Sequence, residues 1–211
     1  MLFRSTVNVM PGGALGKRTQ NVEGYTSNAG ALIREEIAPN RHWLLAFGAG
    51  VENTIIHGVS TAFGYAGSAT GDPTSTTRTF AERHFTNHGY EASLAFRPDE
   101  AWQWRARVAT GYGTPQIGNL FVTPGGIAGN NTQLESQQNL GYDIGVDWTP
   151  SRAFKLSVTG YYEFFRNELV TQSAGAGLQS FTFNAPGSEH RGIEVAADWK
   201  PVSGWRATLA Y

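Results

Sequence analysis

The sequence predicts an all-β fold, an antiparallel sheet of the kind that forms a transmembrane β-barrel. Three observations support it: four regularly spaced proline turns, alternating polar and apolar residues around each turn, and long polar connections between the hairpins. Composition agrees, because charged residues make up only 16% of the 211 residues, below the roughly 25% usual in soluble domains. Aromatic residues reach 12%, and glycine accounts for 26 residues, as expected of a chain with many bends.

Composition also excludes several classes of protein. With no cysteine, the chain has no disulfide, thiolate metal site or cysteine nucleophile. Its 16 basic and 17 acidic residues give a net charge of −1, without the basic excess that binding of nucleic acid needs. No run of about 18 apolar residues exists to form a membrane-spanning helix. Residues 1–13 lack the pattern of a secretory signal, so we expect either a cytoplasmic chain or a missing beginning.

Four short turns organise the chain. Each has an apolar residue, any residue, proline, three residues and then a bulky apolar residue. Their opening residues lie 59, 52 and 51 positions apart, which indicates a recurring structural unit. Because proline presets φ and cannot donate to a β ladder, each pattern predicts a hairpin tip. The turns are Ile37–Trp43, Phe96–Trp102, Trp148–Phe154 and Trp199–Trp205.

The residues around these turns alternate with period 2. In Tyr142–Trp148, for example, the even positions are apolar and the odd positions are polar or glycine. This alternation predicts strands with one apolar and one polar face. In chain order, about eight strands are predicted: Tyr25–Ile37, Trp43–Glu52, Thr79–Phe96, Trp102–Tyr112, Asn139–Trp148, Phe154–Val170, Phe181–Trp199 and Trp205–Tyr211.

Long connections, rich in Gly, Asn, Ser and Thr, separate the hairpins at about Gly50–Thr79, Gly113–Gln138 and Arg166–His190. Loops of this length are uncommon in compact soluble domains. Short turns on one side and long loops on the other are typical of outer-membrane barrels, and the aromatic residues at the short turns predict an interfacial girdle. A soluble β-sandwich is the alternative, but its strands usually recur every 8–12 residues with short loops at both ends.

Several motifs resemble the TonB-dependent outer-membrane receptors. Asn184–Glu194 is similar to the family's asparagine, short loop and Arg-Gly-Val/Ile-Glu strand opening. Gly111–Phe121 resembles the family's aromatic strand end followed by proline, and Asn130–Ser136 resembles its Asn-Leu-Lys-Pro-Glu region. Gly30–Ile37 is similar to a strand that precedes a proline turn and tryptophan. The likeness extends from about Tyr25 to Tyr211.

The resemblance implies a 22-stranded barrel in the outer membrane of a Gram-negative bacterium, closed by an N-terminal plug. It further implies import of scarce nutrients such as ferric siderophores, with energy from the TonB complex acting through the plug. The expected partners are therefore outer-membrane lipid, TonB and a ferric chelate or similar small ligand, with no cofactor.

The chain has room for about eight strands and no recognisable plug, so we expect a barrel fragment. Residues 1–24 are predicted as a loop or strand remnant, and residues 25–211 as part of the barrel without its C-terminal strands. The alternative is a complete eight-stranded barrel serving as a pore, adhesin or structural protein. Against that alternative, Trp205–Tyr211 is shorter than the roughly 9–11 residues that cross a bilayer.

Two groups of residues are candidates for function. The first comprises charged residues predicted to face the barrel interior: Arg105, Arg107, Lys155, Glu163, Glu194, Asp198 and Arg206. Any one of them could equally be a solvated or plug-paired wall residue. The second comprises candidate ligand contacts in the long loops, chosen by position: Tyr112, Gln116, Asn119, Phe121 and Gln133.

Catalytic and metal sites are not predicted. His84 and His88 share one strand face, but two histidines without a third ligand seldom bind a metal. The chain has no Gly-x-Ser-x-Gly elbow, and its Ser, His and Asp residues suggest no triad. Because the transport that the resemblance implies makes and breaks no bond, we predict a protein that is not an enzyme. An outer-membrane hydrolase with its site on distant loops is a third alternative. Haem is disfavoured because residues 112–137 contain no histidine, which the haem-uptake branch of the family typically carries there.

Overall fold

The computed structural model describes residues 2–8, 18–64, 73–176 and 178–211, with side chains described from Gln20 onward. These residues form one antiparallel sheet in which every strand pairs with the next along the chain. In order, the strands are β1 Leu2–Asn8, β2 Arg18–Asn40, β3 Trp43–Gly64, β4 Ser75–Phe96, β5 Trp102–Gly113, β6 Gln137–Ser151, β7 Phe154–Ser173, β8 Ser180–Trp199 and β9 Ala207–Ala210. The predicted all-β antiparallel fold is therefore confirmed.

The strands extend beyond the sequence prediction. The predicted loop Gly50–Thr79 is mostly strand, because β3 and β4 are 22 residues each and pair from Trp43↔Phe96 to Gly64↔Ser75. Part of the predicted loop Arg166–His190 likewise belongs to β7 and β8. The physical reason is that alternation marks only the part of a strand with chemically different faces, whereas these extensions carry polar residues on both faces. β9, in contrast, is shorter than its predicted range.

Three of the four short turns are closed by side-chain hydrogen bonds, and each turn is joined to its neighbour. The side chain of Asp99 accepts hydrogen bonds from the backbone N–H groups of Ala101 and Trp102, at 2.8 and 2.9 Å. Between turns, the Arg97 N–H donates to the His42 carbonyl at 2.7 Å. The short turns therefore form one continuous rim, as the proline pattern predicts.

Aromatic rings lie along the same rim. Trp102 stacks on Trp148 with ring centroids 5.7 Å apart, and Trp148 meets the ring of Phe154 edge-on at 5.8 Å. Trp43 and Phe96 pack at 4.3 Å. Such cross-strand aromatic pairs stabilise a sheet beyond the area that they bury.

The two faces of the sheet differ in chemistry. One, which we call the apolar face, exposes large side chains such as Ile33 (75% exposed), Ile144 (67%) and Ile193 (65%). The opposite face, which we call the polar face, carries the ion pairs and is partly covered by the connection between β5 and β6. That connection, residues 114–136, contains a short 3-10 helix, Ile117–Phe121. No helix among the described residues is long and apolar enough to cross a membrane.

The β4–β5 seam is much shorter than its neighbours. Residues 91–96 of β4 pair with residues 104–109 of β5, whereas the rest of β4 pairs only with β3. Where the two strands separate, the Thr110 hydroxyl accepts the backbone N–H of Tyr90 at 2.8 Å. Above this point a notch opens in the sheet, and the β5–β6 connection packs into it.

We predict that Thr110→Val destabilises the fold by about 1–2 kcal/mol, since it leaves the Tyr90 N–H without an acceptor at the end of the seam. Urea unfolding of the detergent-solubilised protein, followed by tryptophan fluorescence, measures the change. Thr61→Val is the matched control, because the Thr61 hydroxyl makes no hydrogen bond within the described part of the chain. Equal stability of the two variants would contradict this role for Thr110.

Candidate functional site

The β5–β6 connection is anchored to the polar face by a small hydrophobic core. Leu120 and Phe121 are fully buried, and Ile117 is 2% exposed. They pack in one cluster with Val22, Ile56, Ala81, Phe85 and Leu134, and with Leu169 from β7 at its margin. The cluster therefore joins β2, β3 and β4 to β7 across the notch.

Buried polar groups join the same elements. The Gln20 side chain, which is fully buried, donates to the Ser60 hydroxyl at 2.7 Å and to the Phe121 carbonyl at 3.0 Å. On the other side of the notch, the Asn131 side chain donates to the Thr182 carbonyl at 2.9 Å. The Asn119 side chain donates to the Thr182 hydroxyl at 2.7 Å. Because such groups are costly to leave unpaired, they hold the connection in one position.

Asn184 holds the end of the connection. Its side-chain nitrogen donates to the carbonyls of Glu135 and Asn167, at 3.0 and 2.7 Å, and its side-chain oxygen accepts the Glu135 N–H at 2.8 Å. Asn167 has a left-handed backbone, φ 52°, which asparagine tolerates better than most residues, and its own side chain donates to the Glu135 carboxylate at 2.7 Å. Asn184 opens the motif singled out in the sequence, and its clamping role emerges only in the fold.

Between the notch and the rim of short turns, which we call the region below the notch, the polar face carries a network of ion pairs. Glu91 accepts from Arg34 at 2.9 Å and from Arg107 at 3.4 Å, and Arg107 also lies 3.7 Å from Asp143. A second set centres on Asp147, which lies 3.4 Å from Arg105 and 3.7 Å from Lys155. Each positive charge thus has a carboxylate beside it, and this part of the face is close to neutral.

The charged candidates from the sequence lie on the polar face. Four of them take part in ion pairs on that face: Arg105, Arg107, Lys155 and Arg206. Arg206 pairs with Asp198 at 2.8 Å. Glu163 accepts a hydrogen bond from Asn139 at 3.4 Å, and Glu194 shares a cavity with Arg105. Whether these residues act on a ligand stays a prediction.

The candidate loop residues divide into two groups. Tyr112, 38% exposed, lines a cavity of about 520 Å³ with Glu91 and Arg107, while Gln116 and Gln133 are exposed. Phe121 is fully buried, and Asn119 is bonded to Thr182, so a ligand could reach them only if the connection moved.

Glu91 and Asn131 were not among the candidates. The strand period places Glu91 on the polar face, but its convergence with Arg34 and Arg107 requires the sheet register.

Histidines do not form a metal centre in the described part of the chain, where no three His, Asp or Glu side chains are arranged to hold an ion. His84 instead donates to the Glu82 carboxylate at 3.0 Å.

The sheet has long antiparallel strands, one exposed apolar face and one charged face, with short turns and an aromatic rim at one end. Together these features define the wall of an outer-membrane-type β-barrel. The model of the TonB-dependent receptor-like β-barrel family matches residues 4–211. The chain belongs to this family, as the motifs had suggested. Members of the family are receptors and transporters of the Gram-negative outer membrane.

Solved structures share the fold. The ferric-catecholate import receptor Fiu from E. coli, in its closed form, is 18% identical with a TM-score of 0.68, over 96% of this chain and 30% of that receptor. The ferric yersiniabactin uptake receptor FyuA from Yersinia pestis is 17% identical with a TM-score of 0.65, over 92% and 27%. The Serratia marcescens hemophore receptor HasR is 12% identical with a TM-score of 0.66, over 99% and 40%. The chain thus spans about a third of the length of these structures. No curated protein matches it.

We predict that Asn184→Ala lowers the free energy of unfolding by about 1–3 kcal/mol, because it removes three hydrogen bonds that hold Glu135 and Asn167. It should also expose residues 114–136 to limited proteolysis. Asn130→Ala is the control, since Asn130 is exposed in the same connection and its side chain bonds to no described residue. The clamp would be refuted by cleavage rates that do not differ between the two variants.

Proposed function

We propose that the chain forms part of the barrel wall of a TonB-dependent transporter in the Gram-negative outer membrane. This transporter imports a metal chelate of the ferric siderophore type. The observation that carries the proposal is the two-faced sheet, whose exposed aliphatic side chains suit lipid and whose charged face suits a water-filled interior. Energy would come from TonB through a plug domain, which no described residue forms. Transport of this kind makes and breaks no covalent bond, so the protein is not an enzyme.

The aromatic rim sets the level of the membrane. Tryptophan is enriched at membrane interfaces, so the rim would lie at the periplasmic boundary. A tilted strand needs about 9–11 residues to cross the hydrocarbon core. Strands such as β4, with 22 residues, would therefore project well beyond the outer boundary, and the β5–β6 connection would lie at or above it.

Iron chelates are the favoured cargo because the solved structures with this fold include receptors for ferric catecholates and ferric yersiniabactin. A copper transporter, OprC, also shares the fold, at 16% identity and a TM-score of 0.64, over 92% of this chain and 29% of that one. The near-neutral charge network leaves no uncompensated cluster of arginines below the notch to select an anion. Selectivity would therefore come from residues above the network, and Tyr112 is the best placed because it is exposed beside a cavity.

Uptake of radioactive iron by the host bacterium tests the function. Deleting the gene should lower TonB-dependent uptake of at least one ferric siderophore, and restoring the gene should recover it. Uptake that is unchanged for ferric siderophores but falls for a copper chelate would overturn the choice of cargo. Uptake that persists without TonB would overturn the mechanism.

Within the restored strain, we predict that Tyr112→Ala weakens chelate binding or uptake about three- to tenfold, since an aromatic contact contributes roughly 1 kcal/mol. Tyr142→Ala is the matched control, because Tyr142 is 48% exposed but lies on the apolar face with Ile144. Both proteins must be equally abundant in the membrane fraction. Equal uptake by the two variants would remove Tyr112 from the ligand site.

A cluster of one glutamate and two histidines lies on the parts of β3 and β4 that extend beyond the proposed membrane span. The Glu82 carboxylate contacts His57 and His84, each at 3.0 Å, fourteen residues from the rim end of β4 and so beyond the proposed membrane span. Hydrogen bonds from His84 and then His57 lower the pKa of Glu82 from its ordinary value of 4.5. Stability from these contacts is therefore present above pH 4.5 and is lost as the pH falls through the lowered pKa of the folded state.

We accordingly predict that the stability difference between the natural protein and Glu82→Gln shrinks as the pH falls from 5 to about 3. Urea unfolding at several pH values in detergent measures it. Glu100→Gln should give no such dependence, because Glu100 is exposed and forms no ion pair with any described residue. A difference for Glu82→Gln that grows towards low pH would have the wrong sign for this interaction.

A further inference from the structure

A polar cavity lies in the notch between the free edge of β4 and strands β6 and β7. Its volume is about 500 Å³, which is within the range of small-molecule sites. Arg83 and Asn87 line it from β4, Ser136 from the β5–β6 connection, and Phe164 and Arg166 from β7. It is separate from the cavity beside Tyr112 and from the ion-pair network.

Two guanidinium groups of this cavity are not neutralised by acids. Arg83 donates to the Leu134 carbonyl at 3.2 Å and lies 5.2 Å from the Phe85 ring centroid. Arg166 lies 5.8 Å from the ring of Phe164. Neither forms an ion pair with any described carboxylate, unlike Arg34, Arg105 and Arg107 on the face below. Glu135 also lines the cavity, but Asn167 donates to its carboxylate.

Two buried oxygen atoms of the lining residues lack a partner. Asn87 is 1% exposed, and its side-chain nitrogen donates to the Thr114 hydroxyl at 3.2 Å, while its side-chain oxygen accepts no hydrogen bond from the described residues. The hydroxyl of Ser136 is also buried without a partner in the described chain. Such atoms are costly to bury unless something else bonds to them.

We propose that this cavity binds a phosphorylated sugar. A phosphate group supplies acceptors for the two guanidinium groups and for the Ser136 hydroxyl, and arginine is well suited to it. The phosphate of a sugar monophosphate is a dianion without hydrogen, so a sugar hydroxyl would be the group that donates to the Asn87 oxygen. Phe164 offers the sugar ring an apolar wall. The site goes beyond the proposed transport function and does not depend on the identity of the cargo.

The position of the cavity allows two sources for this chemistry. Residues 83–87 lie 9–13 residues from the rim end of β4, which brings them to the outer boundary of a bilayer when a strand crosses in about 9–11. A phosphorylated glycolipid of the outer leaflet could therefore place its head group here. A soluble sugar phosphate could reach the same cavity from outside.

Calorimetric titration of the detergent-solubilised protein with glucose 1-phosphate tests the site. We expect saturable binding that weakens about tenfold or more in Arg166→Gln, as for loss of a charge-assisted hydrogen bond. Arg191→Gln should bind within twofold of the natural protein, because Arg191 is an exposed arginine on β8 outside the cavity. Ser136→Ala should weaken binding without harming folding, because its hydroxyl bonds to no described residue.

Three outcomes would overturn the proposal: no binding of glucose 1-phosphate, equal affinity of Arg166→Gln and Arg191→Gln, or inorganic phosphate binding as tightly as glucose 1-phosphate. Competition by purified lipopolysaccharide distinguishes the sources. Displacement of glucose 1-phosphate by lipopolysaccharide supports a membrane glycolipid, and binding without displacement supports a soluble sugar phosphate. Because none of these titrations involves an iron chelate or TonB, failure here is distinct from failure of the transport function.

Discussion

Backbone hydrogen bonding between neighbouring strands is the constraint on which the rest of the structure depends. In hydrocarbon, an unpaired N–H or C=O costs several kcal/mol, so a β structure can cross a membrane only as a continuous ladder. In the described chain every strand pairs with the next, from β1 at one edge of the sheet to β9 at the other. Side chains are then free to differ, apolar on one face and charged on the other.

The ladder is interrupted at the β4–β5 seam, and neighbouring side chains and the β5–β6 connection compensate for the missing backbone pairs. Thr110 replaces a backbone acceptor where the strands part, and the β5–β6 connection packs into the notch above. Hydrophobic packing of Leu120 and Phe121 and the hydrogen bonds of Asn184 hold that connection. A segment that looks like a loop in the sequence therefore acts as part of the wall, and the notch retains a polar cavity beside it.

Charge is distributed unevenly along the polar face. Below the notch, arginines and carboxylates pair with one another, so water and a mobile solute would meet a nearly neutral surface. At the notch, Arg83 and Arg166 form no ion pair with any described carboxylate. The paired charges below the notch thus form a structural network, whereas the two arginines at the notch belong to the proposed anion site.

The sequence by itself determined the fold class, the hairpin turns and the two faces, because period-2 alternation and proline turns are local properties that one strand displays alone. It also indicated the family through Asn184–Glu194 and the neighbouring motifs. The ends of β3 and β4 could not be predicted, since polar residues lie on both faces there and alternation disappears. Only the tertiary structure decided that Phe121 of the β5–β6 connection is buried, and that Asn87, Ser136 and Arg166 line one cavity. Those contacts join residues far apart in the chain, and strand register and the path of the β5–β6 connection bring them together.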